Sequence, residues 1–180
     1  MLMSAENACL MIVDVQQRLL TAMDSPRAVL SGCSLMMKAA GVLDVPMVVT
    51  EQYPEGLGPT VEPLAELAPE DAFFSKIHFS SVRNVAIRGK IDQLKPDQVV
   101  IGGIEAHVCV LQTAIGLTEA GYKCYVAADA TSSRTGTNHA AAMSRLREAG
   151  VEIVTSEMIV FEWLEKAGTS EFRDLSRLLK

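Results

Sequence analysis

Short runs of apolar, often β-branched residues alternate along this chain with longer segments whose apolar positions recur every three or four residues. Ala8 to Val13 (ACLMIV), Pro46 to Thr50, Asp97 to Ile101, Tyr122 to Ala127 and Val151 to Val154 are bounded by Gly, Pro or Asp and show little alternation with polar residues. Strands buried on both faces have that pattern. Ala72 to Ser75 is a sixth candidate. Pro26 to Leu43, Ser81 to Leu94, His107 to Ala120 and Thr137 to Ala149 carry helical spacing, with Gly41, Gly121 and Gly150 where helix C-caps belong. The Pro- and Gly-containing stretch Tyr53 to Pro69 predicts a long loop with a helical turn around Val61 to Leu67, and its length suggests an active-site cover. Glu157 to Lys180 reads as C-terminal helical packing, anchored by Phe161, Trp163 and Leu164 on the body or on a neighbouring subunit. Such β-α alternation implies an α/β fold, a parallel sheet wrapped by helices through right-handed crossovers.

In a doubly wound sheet of order 3-2-1-4-5-6 the first and fourth strands are neighbours, and ligands bind beyond the carboxyl ends of the strands where the order reverses. That rule directs attention to the residues just after each strand. Asp14 ends the first, and is either a cap for the next backbone turn or a catalytic carboxylate. Lys76 follows Phe73-Phe74-Ser75, where an ammonium either snorkels to water or serves the crevice. Cys109 lies near the start of the helix after the fourth strand, beyond Gly102-Gly103, read as a flexible pair. A helix N-terminus favours the thiolate, which sets Cys109 apart from Cys9, Cys33 and Cys124, inert thiols inside strands or helix. A base, a cation and a thiol then converge, as an activated nucleophile requires.

Composition narrows the function. A chain of 180 residues suits one domain, residues 1–180, and 49% hydrophobic residues against 21% charged exclude a disordered chain. A net charge of −6 disfavours nucleic acid and anionic lipid as partners. No apolar run approaches a membrane span, and the first basic residue is Arg18, so a cytoplasmic protein is expected. The four cysteines form no C-x-x-C pair, which argues against a zinc site or a dithiol redox motif. Mean hydropathy of +0.22 leans apolar for a monomer, so a homo-oligomer is expected, with Pro26 to Leu43 and Phe161 to Leu179 as candidate interface.

The strings IVDVQQ around Asp14, FSKIHFS around Lys76 and GGIEAHVCVLQT around Cys109 resemble the Asp-Lys-Cys motifs of the isochorismatase-like (cysteine hydrolase) superfamily, over residues 8 to 155. TEQYPEGLGPT and DATSSRT suggest the subgroup of isochorismatase domain-containing proteins. The resemblance implies a three-layer α-β-α, Rossmann-like fold with a six-stranded parallel sheet and helices on both faces. It also implies a catalytic triad of Asp14, Lys76 and Cys109, a cis peptide joining Ile104 to Glu105, and an oxyanion hole formed by the N–H groups of Glu105 and Cys109. Two departures matter. Nicotinamidases of similar fold hold a metal through an Asp-x-His motif, whereas the corresponding loop here reads Glu51-Gln52-Tyr53-Pro54, so no metal or other cofactor is expected. Isochorismatases of siderophore pathways do not keep the nucleophilic cysteine, so Cys109 argues against isochorismate as substrate.

The expected activity is cysteine-dependent hydrolysis of a small amide or related carbonyl C–N substrate through a thioester. Gln16, Tyr53, Phe79 and His107 are candidate pocket residues beside the triad. His78 reads equally as pocket wall or core, and His139 as a solvent-facing residue near a helix start. A non-catalytic binding or scaffold protein on the same fold is the alternative, and a thiol redox sensor ranks behind both.

Overall fold

The structure, a computed structural model, describes residues 1–179. Six strands, β1 (Ala8–Val13), β2 (Met47–Gln52), β3 (Phe73–Lys76), β4 (Gln98–Ile104), β5 (Lys123–Ser132) and β6 (Glu152–Val154), pair in parallel in the order β3-β2-β1-β4-β5-β6. The helices are α1 (Gln17–Leu20), α2 (Pro26–Val42), α3 (Pro54–Leu57), α4 (Glu62–Ala65), α5 (Val85–Leu94), α6 (Leu111–Glu119), α7 (Gly136–Glu148), α8 (Ser156–Leu164) and α9 (Ser170–Ser176). All six expected strands form, in the expected order.

The unbroken apolar run of β1 is explained by its two burials. Ala8, Leu10 and Ile12 enter a core with α2, α8 and α9, while Cys9, Met11 and Val13 enter a second core with α5, α6 and α7. β4 and β5 divide in the same way, Val100 and Tyr125 on the first side, Val99, Ile101 and Val126 on the second. Successive strand residues point to opposite faces, so a sheet covered on both sides needs apolar residues at every position. The result is three layers, helices on both faces of one sheet.

Local differences have local causes. Gly121 and Gly150 follow α6 and α7 with φ of +96° and +84°, but Gly41 lies inside α2, whose end falls at Leu43 with Asp44 in the left-handed conformation that aspartate tolerates. The segment expected as one helix from Ser81 divides into a 3-10 turn, Ser81–Arg83, and α5, because the Asn84 side chain caps α5 by accepting from the N–H groups of Ala86 and Ile87. Gly102 and Gly103 are not a flexible connection. They extend β4, and a Cβ on Gly103 would sit 2.1 Å from the Val13 carbonyl oxygen, so the absence of a side chain lets β4 lie against β1 there. In α8, Val160, Trp163 and Leu164 face the core and Phe161 is 47% exposed, so Phe161 does not anchor the helix on the body. Among the described residues no helix is long and apolar enough to cross a membrane.

Candidate active site

Register places the site. Val13 pairs with Thr50 on one side and Gly103 on the other, and Gln52 pairs with Lys76, so the carboxyl ends of β1, β2, β3 and β4 form one edge. Asp14 leaves β1 with φ of +53°, its N–H donating to the Thr50 carbonyl oxygen. Its carboxylate is buried and each oxygen has a donor: Thr50 Oγ1 at 2.6 Å from Oδ1, and Lys76 Nζ at 2.7 Å from Oδ2. Lys76 Nζ also donates to Gln52 Oε1 at 2.7 Å and to the Phe79 carbonyl oxygen at 3.3 Å. Those three acceptors use the three hydrogens of an ammonium. Gln52 is held in turn, its Nε2 donating to the Ile77 carbonyl oxygen and its N–H to Gln16 Oε1.

Both side chains of the Lys76–Asp14 pair are fully inaccessible. Removing two charges from water carries a penalty that their attraction often fails to recover, so such a pair is weak support for stability. It lies at the switch point, beside Cys109.

Cys109 is buried within a single π-helical turn, Ala106–Val110, that leads into α6. Burial, and next to it the Asp14 carboxylate, push the thiol up to about 12, with Lys76 opposing. Burial and the Asp14 carboxylate thus act against the thiolate expected from the helix N-terminus, while Lys76 favours it. Burial likewise pushes up Cys9 and Cys124, to about 12 and about 11.

The peptide joining Ile104 to Glu105 is cis. The Glu105 carbonyl oxygen accepts from the N–H groups of Val108 and Val110, winding the turn around Cys109. The Glu105 side chain is held by Arg134, with Nε 3.0 Å from Oε2 and Nη2 2.8 Å from Oε1. Burial works to raise the Glu105 carboxyl, but the hydrogen bonds and charge of Arg134 override it and hold the group below the usual carboxylate range. His107 Nδ1 lies 2.9 Å from Ser133 Oγ.

Of the four pocket candidates, Tyr53 and Phe79 are about half exposed at the ends of β2 and β3. His107 is partly buried against Ser133. Gln16 is fully buried, and its Nε2 is spent on the carbonyl oxygens of Gln52 and Gly58. It staples the Tyr53–Pro69 loop to β2, and Glu51 adds a second tie by accepting from Thr60 N–H and Oγ1. The loop is thus fastened to β2 and to the turn after β1. His78 is exposed, while His139 is partly buried and bonded to Thr131 Oγ1, so it is not simply solvent-facing. Thr50, Gln52, Ser133 and Arg134 are site neighbours to which sequence reasoning gave no role, although Gln52, Ser133 and Arg134 lie in segments just after strands, where the site was sought. Polar residues persisting at the end of the otherwise apolar β2 were the available signal for the first two. Among the described residues no three His, Cys, Asp or Glu side chains are grouped to hold a metal ion.

Fold and edge together define a doubly wound α/β protein with a buried ion pair and a cysteine at its switch point. Residues 8–158 match the isochorismatase domain, and the chain belongs to the isochorismatase family. It is 36% identical over 176 residues to isochorismatase domain-containing protein 2 of Rattus norvegicus, covering 97% of this chain and 82% of that protein. It is likewise 36% identical over 178 residues to the secreted isochorismatase effector Isc1 of Phytophthora sojae, covering 97% and 85%. The solved structure of the MAR1 ribonuclease of Caenorhabditis elegans superposes with a TM-score of 0.93 at 32% identity, covering 99% of this chain and 92% of that one. The YcaC gene product of Escherichia coli, an octameric hydrolase of unknown specificity, shares the fold with a TM-score of 0.93 at 20% identity, covering 98% and 90%.

Proposed function

We propose that the protein hydrolyses a small amide or related carbonyl C–N substrate through a thioester on Cys109. The supporting observation is the inaccessible Lys76–Asp14 ion pair set beside a buried cysteine at the switch point. Burial and the Asp14 carboxylate favour the thiol, so in this reading the Cys109 proton passes to Asp14 as sulfur attacks the carbonyl carbon. The N–H groups of Glu105 and Cys109 face the resulting oxyanion. Collapse breaks the C–N bond, Asp14 returns its proton to the departing nitrogen, and the acyl group remains on sulfur. Asp14 then takes a proton from water, the hydroxide attacks the thioester, and the carboxylic acid and free thiol are released. Lys76 keeps the carboxylate in place; with three acceptors already engaged it is a poor proton carrier. Tyr53 and Phe79 offer apolar surface for the rest of the substrate.

Intact-mass spectrometry after incubation with a panel of small amides and esters tests this reading. The expected result is an acyl adduct on the native chain that is absent from Cys109→Ala. An adduct that persists in that variant, or turnover undiminished by it, overturns covalent catalysis by Cys109. A binding or scaffold role is favoured if no panel member reacts or turns over.

The ribonuclease description belongs to the Caenorhabditis elegans protein; for this chain a net charge of −6 disfavours a polyanionic substrate. The cytoplasm is the proposed compartment, supported by four unpaired cysteines, although the Phytophthora relative is named as secreted. A homo-oligomer is proposed on the apolar residues that α2, α8 and α9 with their flanks leave exposed, Val42, Met158, Phe161 and Leu178, and the octameric Escherichia coli neighbour is consistent with it. Gel filtration is expected to give a multiple of 19.4 kDa, and elution as a monomer removes that proposal.

A further inference from the structure

The nucleophile turn is gripped from outside by two consecutive residues. Ser133 and Arg134 leave the end of β5, and each reaches one residue of the segment that carries Cys109: Ser133 Oγ meets His107 Nδ1 at 2.9 Å, and Arg134 takes both carboxylate oxygens of Glu105. The parallel pairing of Gly103 with Thr131 and Ile104 with Ser132 brings the two strand ends together, so both contacts continue the β4–β5 ladder as side-chain bonds after the backbone pairing stops.

The two ends of the grip differ in surroundings. The Glu105 side chain is 6% exposed, whereas that of Arg134 is 64% exposed. A planar guanidinium bonding both oxygens of a carboxylate fixes orientation as well as position. Without it, Glu105 has a buried charge to satisfy and a reason to turn outward, taking its own backbone with it. That backbone provides the carbonyl oxygen around which the turn winds and the N–H assigned to the oxyanion. Ser133 is itself fully buried, so its contact with His107 is made away from bulk water.

We infer that Ser133 and Arg134 are positioning residues, a two-point latch that holds the Glu105–Cys109 turn in register with Asp14. This use of the latch rests on Cys109 being the nucleophile, but its mechanical part can be read without any substrate. The experiment compares the full chain with Arg134→Met, Arg134→Lys and Ser133→Ala, measuring iodoacetamide alkylation of each cysteine by mass spectrometry at pH 8.5 together with the thermal unfolding midpoint. Arg134→Met is expected to raise alkylation of Cys109 about tenfold, equivalent to about 1.4 kcal/mol of local opening. Cys9, Cys33 and Cys124 should stay as protected as in the native chain. Ser133→Ala should move Cys109 in the same direction by less, and Arg134→Lys, which keeps the charge without the fork, should recover part of the protection.

If an acyl adduct forms on the native chain, Arg134→Met should slow its formation by about a hundredfold with KM little changed, as for a misplaced reacting group. Selective exposure of Cys109 in a chain that acylates nothing supports the latch and counts against the hydrolase reading. Equal exposure of all four cysteines with a lowered midpoint overturns the latch, because the residues would then be general supports of the fold. Unchanged Cys109 alkylation in Arg134→Met also overturns it, including the case where KM alone rises and Arg134 is a substrate contact.

Discussion

Asp14→Asn is expected to lower turnover by about 10²–10⁴-fold, the usual contribution of a positioned proton acceptor, while making Cys109 alkylate more readily near neutral pH. The two effects have one origin. The Asp14 carboxylate raises the thiol and Lys76 lowers it, so removing the negative charge leaves the ammonium acting alone and moves the alkylation profile down by about 1–2 pH units. A thiol becoming more acidic as catalysis fails separates a proton acceptor from a residue that merely supports the cysteine, for which reactivity and turnover would fall together. Steady-state rates and pH-dependent alkylation on the same preparations check it; retained turnover would show that another group takes the proton. Lys76→Met is the informative companion. It strands a fully buried carboxylate, so a loss of about 3–5 kcal/mol is expected, and Asp14→Asn added to it should restore part of that stability.

Gly103→Ala is the second large effect, and it falls on the backbone. The new methyl would stand 2.1 Å from the Val13 carbonyl oxygen and 2.6 Å from its nitrogen, at a φ of +118°. β1 and β4 must separate to admit it, so crowding and backbone strain together should remove about 3 kcal/mol or more. Gly121→Ala is the control: its φ is +96°, but nothing lies within 4 Å of the added carbon, and strain alone should cost about 1–2 kcal/mol. Denaturant midpoints decide the matter, and equal losses at the two glycines would remove the close approach as the cause. Val13 immediately precedes Asp14, so Gly103→Ala should also reduce activity in the protein that remains folded.

The contrast between these glycines shows what the sequence could express. Strands buried on both faces leave unbroken apolar runs, so β1 appeared with its true limits and the polar residues after the strands marked the edge where Asp14, Lys76 and Cys109 meet. Gly103 was misread because a glycine that frees a hinge and one that admits a neighbouring strand are the same letter. Gln16 pointed toward a pocket by its place after β1, but two backbone carbonyl oxygens claim its amide. Arg134 and Glu105 are 29 residues apart, and their bond exists because β4 and β5 pair in one register, a relation that local periodicity cannot carry. The state of the Cys109 thiol was likewise a question of surroundings, since a helix start is visible in sequence and the burial of a neighbouring carboxylate is not.

The sheet's two borders have a consequence for how copies of this chain meet. β3 and β6, the outermost strands, are four and three residues long, against ten for β5 inside. So short a row of unpaired backbone groups is a poor template for another chain, which guards the protein against growing into ribbons by edge-to-edge pairing. The proposed homo-oligomer would then be built through the outer helices, where contacts are made by side chains and can close on themselves at a definite number of subunits.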